Sequence, residues 1–245
     1  MVKIENSVIL ITGASSGIGE ATARAAAQAG ARLVLIARRG ERLTRLAAEL
    51  PDARAVEGDV TRGEDIQRAV AAALDGYGRI DALINNAGQG LHVPIDQIDP
   101  DDFRAILDLN LIAPLVAMQA VLPAMRRQRA GSIINVSSGT SLMTLPGVGA
   151  YAASKAALNK LSEVARAELA EAGITVSTLY PFITATEFHS SLRAGTDAVR
   201  SGNAPAPQSA REVAAVLLDL LRTGAERADL IPPRFGGTYE GPAGG

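Results

Sequence analysis

SVILITGASSGIGEATARAAAQAG, residues 7–30, is the stretch on which the fold turns. An apolar run of strand-forming residues, SVILIT, enters the glycine-rich turn GASSGIG and leaves it as the alanine-rich helical pattern GEATARAAAQAG, with Gly30 where a helix cap belongs. Glycines 13, 17 and 19 let the backbone turn tightly and approach a ligand closely, and the helix that follows presents unpaired N–H groups and its positive dipole end. Gly13, Ser15, Ser16, Gly17, Ile18 and Gly19 are therefore candidate contacts for a pyrophosphate. The spacing is not GxGxxG, and a plain tight turn is the competing reading. The position between a clear strand and a clear helix favours the ligand site.

Outward from that unit, short β-rich runs alternate with helical patterns, which predicts βαβ units and a parallel sheet with helices on both faces. Strands are expected near 8–12, 32–37, 54–58, 80–85, 131–137, 174–180 and 228–231, seven in all. Thr61 with Glu64 and Ser209 with Glu212 read as capping boxes, and Asp99-Pro100 as an N-cap followed by proline. Gly173 is expected at a helix end like Gly30. The 245 residues, 47% hydrophobic and 20% charged, suit one α/β domain over 1–245. Within it, about 184–208 reads as a covering loop and about 234–245 as a flexible tail.

A formal charge of −2 without a basic run argues against nucleic-acid or anionic-membrane partners. The lack of cysteine removes disulfides and thiolate metal sites, which fits a cytoplasmic protein. The apolar segment Leu109–Met125 is interrupted by Asn110, Pro114, Gln119 and Pro123 and reads as a buried helix rather than a membrane span. His92 and His189 fall at plausible pocket edges but read as ordinary surface histidines, and no metal site is expected.

A second stretch, SGTSLMTLPGVGAYAASK (138–155), sets Tyr151 and Lys155 four residues apart, on one face of a helix. An ammonium beside a phenol would stabilise the phenolate, by roughly 1.4 kcal/mol per unit of pKa lowered, and make the pair a general acid and base. Ser138, at the end of the strand GSIINVSS, could hold a substrate oxygen beside the phenol. Standing alone, such a pair is more often a half-buried ring and a solvated amine.

TGASSGIG (12–19), NNAG (85–88), Asn110, Ser138 and Tyr151 with Lys155, in this order and spacing, resemble the short-chain dehydrogenase/reductase family over nearly the whole chain. The resemblance implies a doubly wound, Rossmann-like sheet, a nicotinamide dinucleotide across the carboxyl ends of its strands, and hydride transfer to or from a carbonyl or alcohol carbon. By resemblance Tyr151 donates or accepts the proton, Lys155 lowers its pKa and holds the nicotinamide ribose, Ser138 positions the substrate oxygen, and Asn110 anchors a water leading from Lys155. Asp59 and Val60 would meet the adenine, although Asp59 could be only a strand-end turn residue. Asn86, Ala87 and Gly88 would line the dinucleotide groove, and Thr184 and Thr186 would face the carboxamide. Phe182 stands where the family usually has glycine, and is expected to border the nicotinamide.

The end of the second strand, LIARRGERL (35–43), has neutral Ala37 where an NAD site has a carboxylate, followed by Arg38 and Arg39. An arginine fork suits a 2′-phosphate, so NADP(H) is expected in preference to NAD(H), with Arg38 as first choice and Arg39 stacking on the adenine or adding a contact. Solvated loop arginines are the alternative. The helix through Leu111–Met125 is apolar around more of its circumference than one sheet face needs, which with the resemblance implies a homodimer or homotetramer. The expected substrate is a small to medium alcohol or ketone against Leu142, Leu145, Pro146 and Val148. A non-catalytic NADP(H)-sensing regulator on the same fold is the rival reading.

Overall fold

The computed structural model describes residues 1–195 and 206–239. Seven strands, β1 (Val8–Thr12), β2 (Arg32–Ala37), β3 (Ala53–Glu57), β4 (Ala82–Asn85), β5 (Gly131–Val136), β6 (Ile174–Tyr180) and β9 (Arg227–Asp229), form one parallel sheet ordered β3-β2-β1-β4-β5-β6-β9. VILIT in β1 and GSIINV in β5 are buried at every position. Such unbroken burial is what a parallel strand covered on both faces requires. The strand order reverses direction between β1 and β4, and a crevice opens beyond the carboxyl ends at that switch point.

Helices α1 (Gly17–Gln28), α2 (Gly40–Glu49) and α7 (Ala210–Thr223) pack their apolar stripes on one face of the sheet, around Ala23, Ala26, Leu43, Leu217 and Leu221. Helices α3 (Gly63–Tyr77), α5 (Ala113–Gln128) and α6 (Gly149–Leu169) cover the other, with Ile66, Val70, Met118 and Val121 in its core. The run from α4 (Pro100–Leu107) through a π-helical stretch, Asp108–Ile112, into α5 is long and apolar enough to cross a membrane, yet Ala117, Met118, Val121 and Met125 are buried in that core. It packs as a core helix, as its interrupted sequence implies.

The expected seven strands are present, with ends moved by a residue or two, and β4 begins at Ala82 rather than at 80. The Ser209–Glu212 capping box forms, and Asp99 caps α4 by accepting from the Asp101 N–H. Gly30 and Gly173 both take left-handed backbone at helix ends. The Thr61–Glu64 box does not form. Thr61 gives its N–H and hydroxyl to Asp59 Oδ1, at 3.0 and 2.8 Å, and α3 starts at Gly63 with no side-chain cap. A local carboxylate two residues back competes successfully with the helix end for the threonine.

Two short strands outside the main sheet, β7 (Thr184–Ala185) and β8 (Gln208–Ser209), pair in parallel at the ends of the segment expected to cover the cleft. Of the expected tail, 240–245 lie outside the described residues. Its earlier part folds back, with the Tyr239 N–H donating to the Ile231 carbonyl at 3.0 Å.

Candidate active site

A cleft of about 400 Å³ runs along the carboxyl ends of β1, β4 and β5 and is lined by both stretches that the sequence singles out. At its floor, Gly13 carries the chain from β1 into the turn. A Cβ on Gly19 would stand 2.6 Å from Asn86 Nδ2 and collide with the Gly13 carbonyl, so only glycine lets α1 start this close to the strand ends. Ser16 is the N-cap of α1 but makes no side-chain cap bond. The first-turn N–H groups thus face the cleft without a side-chain cap, the arrangement an anion needs. Asn86 is anchored from beneath: its N–H donates to Thr12 Oγ1 at 3.0 Å and its side chain to the Thr12 carbonyl at 3.0 Å, while the Ala87 N–H also reaches the Thr12 hydroxyl. Thr12, not singled out by the sequence reading, therefore clamps β4 to β1 under the cleft.

At the other end Ser138, Tyr151 and Lys155 line one wall. All three sit where strand β5 and helix α6 meet. Lys155 is buried and donates to the Val136 carbonyl at 2.8 Å. A Cβ on Gly88 would lie 3.1 Å from Asn110 Oδ1 and 3.3 Å from Lys155 Nζ, so both groups converge on the glycine of NNAG. Asn110 is fully buried in the π-helical stretch. Its side chain accepts from the Gln89 N–H at 3.1 Å and donates to the Gln89 carbonyl at 2.9 Å and to Ser154 Oγ at 3.1 Å. Such π-helical insertions often mark functional positions.

The Tyr151 ring is enclosed by His92, edge-on at 5.8 Å between centroids, and by Phe188 at 5.6 Å. Burial pushes its phenol up to about 12, with the Ser138 hydroxyl acting against that shift. Burial pushes the Lys155 ammonium down to about 8. The expectation of a lowered tyrosine pKa is thus corrected for the free protein. Desolvation dominates both groups, and the Lys155 ammonium is held on a backbone carbonyl.

A partly buried polar chain holds Ser138 in place. Ser137 Oγ donates to Asn159 Oδ1 at 2.5 Å, Asn159 Nδ2 donates to Ser141 Oγ at 2.9 Å, and Ser141 Oγ donates to the Ser138 carbonyl at 2.6 Å. Ser138 Oγ is also 2.9 Å from Thr140 Oγ1. Asn159 continues the helical face of Tyr151 and Lys155 by one more turn, a spacing that could have revealed it.

The pocket wall near Tyr151 carries Leu145, Val148, Phe182, Phe188 and His92. His92 is buried, which corrects its reading as a surface residue. Phe182 lines the cleft, its ring against Phe235 at 5.0 Å. Leu142 and Pro146 are exposed, and of the expected pocket residues only Leu145 and Val148 line the cleft. His189 lies in a short 3-10 turn, Glu187–Ser190. The covering segment is stitched down by Gln89 Nε2 to the Ser191 carbonyl at 2.7 Å, Arg193 N–H to the Gly90 carbonyl at 2.8 Å and His92 N–H to the Ala194 carbonyl at 3.0 Å.

At the far end Val60 is buried and Arg38 is exposed, and both line the cleft. Asp59 also lines it, but one of its carboxylate oxygens holds the Thr61 turn. Arg39 is not laid over an adenine position. It reaches back across the turn to Ser15 Oγ at 3.1 Å, to Ser16 Oγ, and to Glu187 at 2.6 Å. Arg42 holds the same carboxylate at 2.9 Å. Thr184 is buried, its hydroxyl donating to the Phe182 carbonyl at 3.1 Å. Thr186 accepts from the Phe188 N–H at 3.3 Å, and its side chain abuts Gly17. Among the described residues no group of three metal-binding side chains occurs.

Strand order and cleft together define a doubly wound α/β protein with its site at the switch point. The short chain dehydrogenase family matches residues 7–197. An uncharacterised oxidoreductase of Listeria innocua is 42% identical over 190 residues, 75% of this chain and 77% of that one. A short-chain dehydrogenase/reductase from Burkholderia phymatum, solved in complex with NAD, superposes with a TM-score of 0.86 at 27% identity, covering 95% of this chain and 92% of that one. A short-chain dehydrogenase from Burkholderia cenocepacia, solved in complex with NADP, gives 0.81 at 31% identity, covering 95% and 91%. The chain belongs to the short-chain dehydrogenase/reductase family and is an oxidoreductase of that type.

Proposed function

We propose that the protein transfers a hydride between NADP(H) and a small to medium alcohol or ketone, with Tyr151 as general acid and base. One observation carries this reading: Ser138, Tyr151 and Lys155 line the same cleft as the glycine turn and Arg38, so one bound dinucleotide can span from arginine to phenol. The residues fit such a cofactor. The uncapped α1 N-terminus suits its pyrophosphate, buried Val60 offers an apolar surface for its adenine, and Arg38 suits a 2′-phosphate. The relatives bound to NAD and to NADP support a nicotinamide cofactor, and the arginines favour NADP.

When bound, the nicotinamide supplies or takes up the hydride. The protein's own residues manage the oxygen. In reduction, negative charge grows on the carbonyl oxygen, where the Ser138 hydroxyl donates a hydrogen bond and Tyr151 delivers its proton. A phenol raised to about 12 holds its proton at neutral pH, the form from which it can donate to the substrate oxygen. Lys155, with a pKa near 8, takes up and returns protons close to working pH, beside Asn110. Reduction is expected to lose rate above about pH 8 as Lys155 loses its proton, and a pH profile of kcat/KM checks this. Leu145, Val148, Phe182 and Phe188 favour an apolar body on the substrate.

Assembly as a homodimer or homotetramer is part of the proposal, and Ile112, on the helical run into α5, and Val164, on α6, are apolar and exposed. Light scattering at micromolar concentration should give a multiple of the chain mass. A panel of ketones and alcohols followed by NADPH absorbance tests the activity. Cofactor binding without turnover of any member would instead favour the sensing role.

A further inference from the structure

Arg38 and Arg39 are neighbours in sequence, yet they stand in different electrostatic situations. Among the described residues Arg38 makes no ion pair, while the Arg39 guanidinium is shared between the hydroxyls of the glycine turn and a carboxylate. That carboxylate, Glu187, is 148 positions away in sequence and belongs to the covering segment. It lies next to Thr186, which rests on Gly17, so the ion pair crosses from the covering segment to the rim of the cofactor cleft. Arg42, one turn further along α2, holds Glu187 through both oxygens, at 2.9 and 3.0 Å. Two cations around one carboxylate keep it ionised and close to Arg39.

We propose that Glu187 is a cofactor-specificity residue that competes with a 2′-phosphate for Arg39, so that selectivity for NADP(H) is set by the difference between the two anions. A dianionic phosphate and a carboxylate present the same chemistry to a guanidinium, namely acceptor oxygens that match its fork. A cofactor lacking the 2′-phosphate leaves the Arg39–Glu187 pair intact. One carrying it must draw Arg39 away from Glu187, which Arg42 then holds alone, or forgo the Arg39 contact. The pair is half-exposed, and such pairs are individually weak, so Glu187 moderates the preference rather than abolishing it.

The inference rests on the proposed dinucleotide site, and its test uses fragments that probe only the adenosine end. Dissociation constants for 2′,5′-ADP and 5′-ADP are measured by calorimetry at low salt for wild type and Glu187→Gln. The 2′,5′-ADP complex is expected to tighten three- to tenfold in the variant, with 5′-ADP within twofold. In an Arg39→Ala background the same Glu187→Gln change should have less than twofold effect, because the competitor's target is gone. Equal shifts for both fragments, no shift, or a full effect without Arg39 would each overturn the proposal. A wild type that binds 5′-ADP more tightly than 2′,5′-ADP would defeat the NADP assignment alone. The Glu187 effect is read from the change between variants and survives that outcome.

Discussion

The two ends of the cleft are built on opposite physical principles. Around Tyr151 and Lys155 the ionisable groups are buried, their proton affinities are governed by desolvation, and their neighbours are rings and backbone carbonyls. Around Arg38, Arg39 and Glu187 the charges are exposed, with Arg39 and Arg42 paired to Glu187 and Arg38 in no ion pair among the described residues. Buried groups hold position because no alternative partner is within reach, whereas exposed charges can change partners at little energetic penalty. On the proposed function, chemistry at one end is therefore rigid, and cofactor choice at the other is adjustable.

The largest expected effect removes the proposed proton donor. Tyr151→Phe should lower kcat by about a thousandfold, within the range of general acid catalysis, and leave NADPH affinity within about threefold. Comparable turnover in the variant would dismiss the mechanism. The exposed end should respond next. Ala37→Asp with Arg38→Leu should reverse the cofactor preference, since one charged hydrogen bond contributes roughly 1.5 to 3 kcal/mol, or about tenfold or more. Fluorescence titrations with both cofactors decide it, and an unchanged ratio would show that Arg38 is only a solvated loop residue.

A smaller effect tests whether the buried end is as rigid as its hydrogen bonds imply. Asn159→Ala breaks the chain that fixes the Ser138 carbonyl and should reduce kcat by about tenfold with KM little changed, because a misplaced hydroxyl stabilises the developing charge less well. A change in KM alone would mean that Asn159 only supports the fold.

The smallest effect is on stability. Lys155 binds its proton less tightly in the folded chain, near 8, than in the unfolded one, near 10.5. Its burial therefore opposes folding fully below pH 8, and the penalty is relieved as pH rises toward 10.5. Lys155→Met should stabilise the free protein at pH 7 by about 3 kcal/mol, and wild type should lose that deficit between about pH 8 and 10.5. Denaturant titrations across that window measure both, and a destabilised variant at pH 7 would mean that the bond to Val136 outweighs the charge.

The same contrast governs what the sequence discloses. Continuous apolar runs and glycine turns report burial and backbone geometry locally, so the seven strands, the turn at 13–19 and the face shared by Tyr151 and Lys155 are legible. Thr61 misleads because Asp59 offers it a nearer partner than the helix end does. The partner of Arg39 is not legible, because Glu187 is distant in sequence and belongs to no pattern. His92 is hidden for the same reason: its burial comes from the covering segment folding over it, which no local spacing encodes.

The small β7–β8 ladder lies apart from the main sheet and fastens the two ends of the covering segment side by side. A segment whose ends are already pinned can change length cheaply, since each doubling of a loop adds only about 0.6 kcal/mol of closure entropy. The ladder therefore fixes where the covering segment leaves and rejoins the domain, whatever the length of chain that joins Ala185 to Gln208.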